Sequence, residues 1–134
     1  MVSVSLYKII MHENKQDQAI ILKEKNGERQ LPIIIGITEA AAIKMKVSNL
    51  KPPRPLTHDL LCDIIGKMGA KIDKVIITKL EGNTFFARII MSLNDEKTVD
   101  IDARPSDSIA LALRANAPIY VEEEVFEKLQ FLNG

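Results

Sequence analysis

Val2, Val4 and Leu6 alternate with Ser3, Ser5 and Tyr7, and the period of two runs on into Ile9 and Ile10, so the spacing predicts a half-buried strand over residues 2–11. The polar residues 12–17 then turn the chain. Residues 18–25, built on Ala19, Ile20, Ile21 and Leu22, predict a second strand, and Asn26-Gly27 supplies the positive-φ pair that a tight hairpin uses. A third strand at 29–35 contains Pro32, which has no N–H to give a ladder and so belongs at a sheet edge or beside a local irregularity. Gly36 ends it. Thr38 is the expected cap of a helix carried by Glu39, Ala40, Ala41, Ala42, Ile43, Met45 and Val47 and ending near Asn49. Lys51-Pro52-Pro53-Arg54-Pro55 reads as a stiff, extended connector, because each proline fixes its own φ and turns its predecessor away from helix. Thr57 is the expected cap of a second helix, with Leu60, Leu61, Ile64, Ile65 and Met68 as one apolar stripe and Gly69 as its stop.

The second half repeats the first. Strands are predicted at 72–80, 84–93 and 98–102, with turns at Glu81-Gly82-Asn83 and Asn94-Asp95, and a helix follows over 105–115. A shift of 68 residues lays Ala19 on Ala87, Ile21 on Ile89, Leu31 on Val99, Ile33 on Ile101, Thr38 on Ser106 and Glu39 on Asp107. A short strand at 118–121 and a last helix over 123–131, on Val125, Phe126 and Leu129, complete the chain. Triplets of strands followed by helices imply an α+β fold: duplicated β-β-β-α units, at about 2–49 and 70–116, in a mainly antiparallel mixed sheet with flanking helices. If the copies pack as equivalents, an approximate two-fold relates the junctions at 36–39 and 103–107 and brings Glu39 toward the acidic residues of the second.

At 134 residues the chain has the length of one domain with a continuous core. Lys and Arg number 18 against 18 Asp and Glu, so no broad basic field is available and DNA or RNA would have to bind through a local site. Cys62 is the only cysteine, which excludes an intrachain disulfide and suits a reducing compartment. The start has no basic region before a long apolar run, and no segment approaches the roughly 18 apolar residues of a membrane span, so the expectation is a cytoplasmic protein without a membrane contact.

Four blocks occur in order: Leu31-Pro32-Ile33-Ile34-Ile35-Gly36 with Glu39-Ala40, Arg54-Pro55-Leu56-Thr57-His58-Asp59-Leu60, Arg104-Pro105-Ser106-Asp107-Ser108-Ile109-Ala110, and Ala117-Pro118-Ile119-Tyr120-Val121. In these blocks, and over essentially its whole length, the chain resembles the bifunctional nuclease (BFN) domain family of bacteria and plants. That resemblance implies an α+β domain and a nuclease acting on both DNA and RNA.

The richest stretch for such chemistry is 100–107, where Asp100, Asp102, Arg104, Ser106 and Asp107 meet at the predicted strand-to-helix junction. Asp100 and Asp102, two apart on a strand, share one face while Val99, Ile101 and Ala103 take the other, and their like charges need Arg104, a metal ion or solvent as compensation. Hydrolysis of a phosphodiester commonly uses water activated by Mg²⁺ or Mn²⁺ on carboxylates, and a cation for the developing charge. On that chemistry Asp100, Asp102, Asp107 and Glu39 are the candidate metal ligands. Arg54, Arg104 and Ser106 are the candidates for phosphate, and His58 and Asp59, with Asp102 and Asp107, for proton transfer. Simpler roles stand beside these: Asp107 at a helix start favoured by the macrodipole, Ser106 as an ordinary helix cap, Asp100 and Asp102 on a solvent face, Arg104 in an ion pair with Asp102, Asp107 or Asp59, and Cys62 in core packing. The alternative function is a non-catalytic oligomeric module binding a small ligand or partner protein over a structural Arg/Asp network, and under either function a homodimer is expected, since a sheet edge such as strand three is available for pairing.

Overall fold

The computed structural model describes residues 1–12, 14–94 and 96–133, the last two as backbone. In chain order the elements are β1 (Val2–Ile10), β2 (Asp17–Glu24), β3 (Gln30–Gly36), α1 (Ile37–Val47), α2 (Thr57–Lys67), β4 (Lys71–Glu81), β5 (Thr84–Ser92), β6 (Thr98–Ala103), α3 (Pro105–Ala115), β7 (Ile119–Val121) and α4 (Glu123–Asn133). This is the α+β architecture that the periodicity implies. Asp95, in the expected Asn94-Asp95 turn, lies outside the described residues.

One sheet holds all seven strands in the order β3-β2-β1-β7-β4-β5-β6. Reading outward from β7 gives three sequential strands on each side, and every neighbouring pair is antiparallel except β4 with β7. Because β7 runs parallel to β4 and antiparallel to β1, the two meanders run in opposite senses, as a two-fold axis across the sheet requires. β3 and β6 are the edges. Pro32 therefore sits where a missing donor is tolerated. Alternation is clear on β3, where Leu31, Ile33 and Ile35 are buried and Pro32 and Ile34 face outward.

The core joins that inner face to Ile20, Leu22, Val75, Ile77, Ile89 and Val121 of the sheet and to Ile43, Ile109, Leu111 and Val125 of the helices. Helix α3 lies at its centre. Ile109, Ala110, Leu111 and Ala112 are all buried, and their small members let α1 and α2 both pack against it. Helix α4 packs against β4, pinned by Arg29, whose Nε donates to Glu24 at 2.6 Å and whose Nη2 donates to Glu123 at 3.0 Å. Buried Gln18 ties the first turn, its amide donating to the carbonyls of His12 at 3.1 Å and Lys15 at 2.8 Å.

One expectation is corrected and one left open is settled. Thr38, Thr57 and Ser106 do not cap their helices: each is the second or first helical residue, the caps are Gly36, Leu56 and Arg104, and the carboxylate of Asp59 takes the Leu56 N–H at 3.0 Å. The apolar stripe of α2 does not face the core. Cys62 and Ile65 do, while Leu60, Leu61, Ile64 and Met68 look outward, because periodicity gives the width of a stripe but not the side that packs.

Candidate active site

Each of the first three helices starts alike. Glu39 of α1, Asp59 of α2 and Asp107 of α3 occupy the third helical position, where a carboxylate is favoured by the positive helix end. The packing of α1 and α2 on α3 brings these starts together. Arg104, the residue before α3, donates from Nε to Asp107 Oδ2 at 2.9 Å and from Nη2 to Glu39 Oε1 at 3.0 Å, so one guanidinium joins the two residues related by the 68-residue shift. The expected approach of Glu39 to the second junction is thereby met. Gly36 stands where the other copy has Arg104, and Glu39 folds over the space a side chain there would fill.

From the other side, His58 Nε2 lies 2.9 Å from Asp107 Oδ1. The result is a continuous chain of contacts, Glu39 to Arg104 to Asp107 to His58. Arg104 is its exposed member at 65%, with Glu39 at 17% on one side and Asp107 at 31% and His58 at 11% on the other. Burial pushes the Asp107 carboxyl up, but the hydrogen bonds from Arg104 and His58 outweigh it and hold the group below its ordinary value, ionised at neutral pH. Two openings flank this chain. Arg104, Pro105 and Ser106 line a cleft of about 850 Å³ that continues along β3 from Pro32 to Gly36 and past Asn83 and Phe85. His58 lines a smaller groove of about 400 Å³ with Ile37, Thr38, Met45, Leu56 and Thr57, at the starts of α1 and α2.

Asp59 belongs to a separate unit. Arg114 Nε donates to its Oδ1 at 2.7 Å, and the remaining guanidinium nitrogens donate to the carbonyls of Ala110 at 3.1 Å and Ala42 at 3.2 Å. The Arg114 bond, with that from the Leu56 N–H, holds the Asp59 carboxyl low against the opposing effect of burial. A lowered carboxyl stabilises the fold above its unfolded-state pKa and loses that contribution as pH falls through the folded-state value. Asp107 and Asp59 both act in this sense. The melting temperature should therefore hold from neutrality to about pH 5 and fall between about pH 4 and pH 3, as thermal melts at stepped pH would show; no fall over that range would contradict the assignment.

The fold does not gather Asp100, Asp102, Asp107 and Glu39. Asp100 and Asp102 share a face of edge strand β6, as their spacing implies, but it is the exposed face, where they lie beside Arg88: Asp102 is its strand partner and Asp100 approaches its Nε at 3.7 Å. Asp107 begins a helix packed on the opposite, buried side. Among the described residues no three of His, Cys, Asp or Glu are grouped to hold a metal. The two carboxylates that do meet share a guanidinium, which already supplies the positive charge at that place. These side chains do not fit a protein-built Mg²⁺ or Mn²⁺ site. Of the other candidates, Arg54 is exposed on the proline connector without a hydrogen bond or ion pair among the described residues, and Ser106 is buried in the wall of the larger cleft. Burial raises the Cys62 thiol, so it stays protonated.

Sequence reasoning missed Arg114. It occupies the place that Lys46 holds in the first copy, and a basic residue in a last helical turn is ordinary enough to pass unmarked.

The bifunctional nuclease domain model matches residues 20–133, spanning all of these contacts. The chain belongs to the bifunctional nuclease domain family. An uncharacterised protein of Mycobacterium tuberculosis is 46% identical to this BFN domain over 121 residues, 90% of the chain and 71% of that protein. Bifunctional nuclease 1 of Arabidopsis thaliana is 32% identical over 108 residues, 78% of this chain, and bifunctional nuclease 1 of Oryza sativa subsp. japonica 28% over 118 residues, 86% of this chain. The BFN domain here corresponds to 33% and 36% of those plant proteins. No helix among the described residues is long and apolar enough to cross a membrane.

Proposed function

We propose that this BFN domain cleaves phosphodiester bonds of DNA and RNA, with His58 as the proton carrier, Asp107 as its orienting carboxylate, and Arg104 and Arg54 as the phosphate contacts. The observation that carries this reading is the 2.9 Å contact between His58 Nε2 and Asp107 Oδ1, backed by Arg104 where three helix starts converge. A guanidinium that is 65% exposed can meet a phosphate oxygen while keeping its carboxylate partners. The carboxylate fixes the imidazole. The ring then accepts a proton from the attacking water, the imidazolium so formed is stabilised by Asp107, and the proton passes to the departing oxygen. A local site of this kind suits a chain of zero net charge.

One observation favours the second reading, a non-catalytic binding module on a structural Arg/Asp network: the Arg114 side chain is enclosed, with every polar contact satisfied. A nuclease assay on single- and double-stranded DNA and RNA separates the two. Wild type should cleave, Asp107→Asn should lose at least about tenfold, and Asp102→Asn, altered on the outer face of β6, should retain full activity. Equal activity in wild type and Asp107→Asn would point to a contaminant and remove the assignment; an inert wild type would leave the binding module. A parallel EDTA series tests the Mg²⁺ or Mn²⁺ expectation separately.

A further inference from the structure

Helix α2 touches the molecule through one side alone. His58, Cys62 and Ile65 turn toward α3 and the core, whereas Leu60, Leu61, Ile64 and Met68 are 52%, 40%, 48% and 77% exposed. At 60, 61, 64 and 68 these residues form a single stripe that runs alongside the packed side and out to solvent. The proposed cleavage chemistry uses none of them. A row of large apolar side chains is costly to leave in water and marks a contact surface when it is contiguous.

We infer that this stripe is the interface on which two copies of the chain pair about a two-fold axis, α2 running antiparallel to α2. The charges beside the stripe fit that arrangement. Asp63 and Lys67 flank it on one side, both exposed, and pair with each other at 2.9 Å within the helix. A two-fold through Ile64 sets each Leu60 against Met68 of the second copy, and it sets each Lys67 beside Asp63 of the second copy. The antiparallel helix dipoles add to this match. The chain's zero net charge leaves no long-range repulsion between copies.

The sheet edges are poorer routes to the same dimer. On β3, Pro32 interrupts the donors in mid-strand, and β6 presents Asp100 and Asp102, so both edges carry features that discourage strand pairing.

Sedimentation velocity over a concentration series reads this directly. Wild type should dimerise, Ile64→Lys should raise the dissociation constant at least about a hundredfold by placing two ammonium groups at the axis, and Ile34→Lys on β3 should leave it unchanged. Lys67→Asp should weaken the dimer, and adding Asp63→Lys should restore it, which reads the interface even if Ile64→Lys folds poorly. Circular dichroism checks each fold. A wild type that stays monomeric at near-millimolar concentration, an Ile64→Lys dimer as tight as wild type, or a charge swap without recovery would overturn the inference. The inference stands apart from the nuclease reading, because the monomeric variants can be assayed for cleavage on their own.

Discussion

Replacing His58 by Gln should lower the rate of nucleic-acid cleavage by about a hundredfold or more, the usual contribution of a positioned acid–base group. Glutamine keeps an N–H that can reach Asp107 and nearly fills the volume, so the junction between α2 and α3 survives. What it lacks is a lone pair basic enough to take a proton from water. The side chain it replaces is only 11% exposed and is held at 2.9 Å by a carboxylate that Arg104 keeps ionised, so the loss should be chemical. Steady-state turnover on single-stranded DNA and RNA, with thermal melts in parallel, checks this. Cleavage within a few-fold of wild type, from protein freed of contaminating nuclease, would mean that the His58–Asp107 contact holds helices and nothing more.

The second large effect is on stability. Arg114→Met should destabilise the fold by about 3 kcal/mol, the low end of the cost of removing one partner from a buried ion pair. The Arg114 side chain is 7% exposed, and the substitution leaves the Asp59 carboxylate with the Leu56 N–H alone and removes the ties from α3 to α2 and α1, the latter through the carbonyl of Ala42. For a chain of this length the loss corresponds to a melting temperature lower by roughly 10 °C. Methionine matches the length of the stem, so the deficit measures the missing polar contacts more than a cavity. A denaturant titration giving a change below about 1 kcal/mol would show that water replaces the guanidinium without penalty. Asp59→Asn should recover part of the loss when combined with Arg114→Met, since the orphaned charge is then gone.

The elements were legible because the two periods are clean. The alternation in β3 and the apolar spacing of α3 leave little freedom, and Pro32 gave away an edge. The repeat was legible too, and from it the meeting of Glu39 with the second junction. What alternation does not carry is the side on which a helix packs. It set Asp100 and Asp102 together correctly, yet nothing in their spacing says that α3 packs against β4 and β5 on the opposite face of the sheet. The same gap left the direction of the α2 stripe open, and most of it faces out. Arg114 and Gln18 escaped notice for a related reason. Their roles come from carbonyls and carboxylates contributed by other elements or by turns, and a polar residue that closes contacts at a distance has no local signature.

The position of β7 between the two meanders has a consequence for the order in which the molecule assembles. β1 and β4 never pair with each other; Val2 finds Val121 and Val75 finds Ile119. During synthesis both three-stranded ribbons emerge from the ribosome before the segment that zips them together, so the continuous sheet closes only when the tail of the chain arrives, and nascent chains stopped short of it hold two ribbons with bare inner margins.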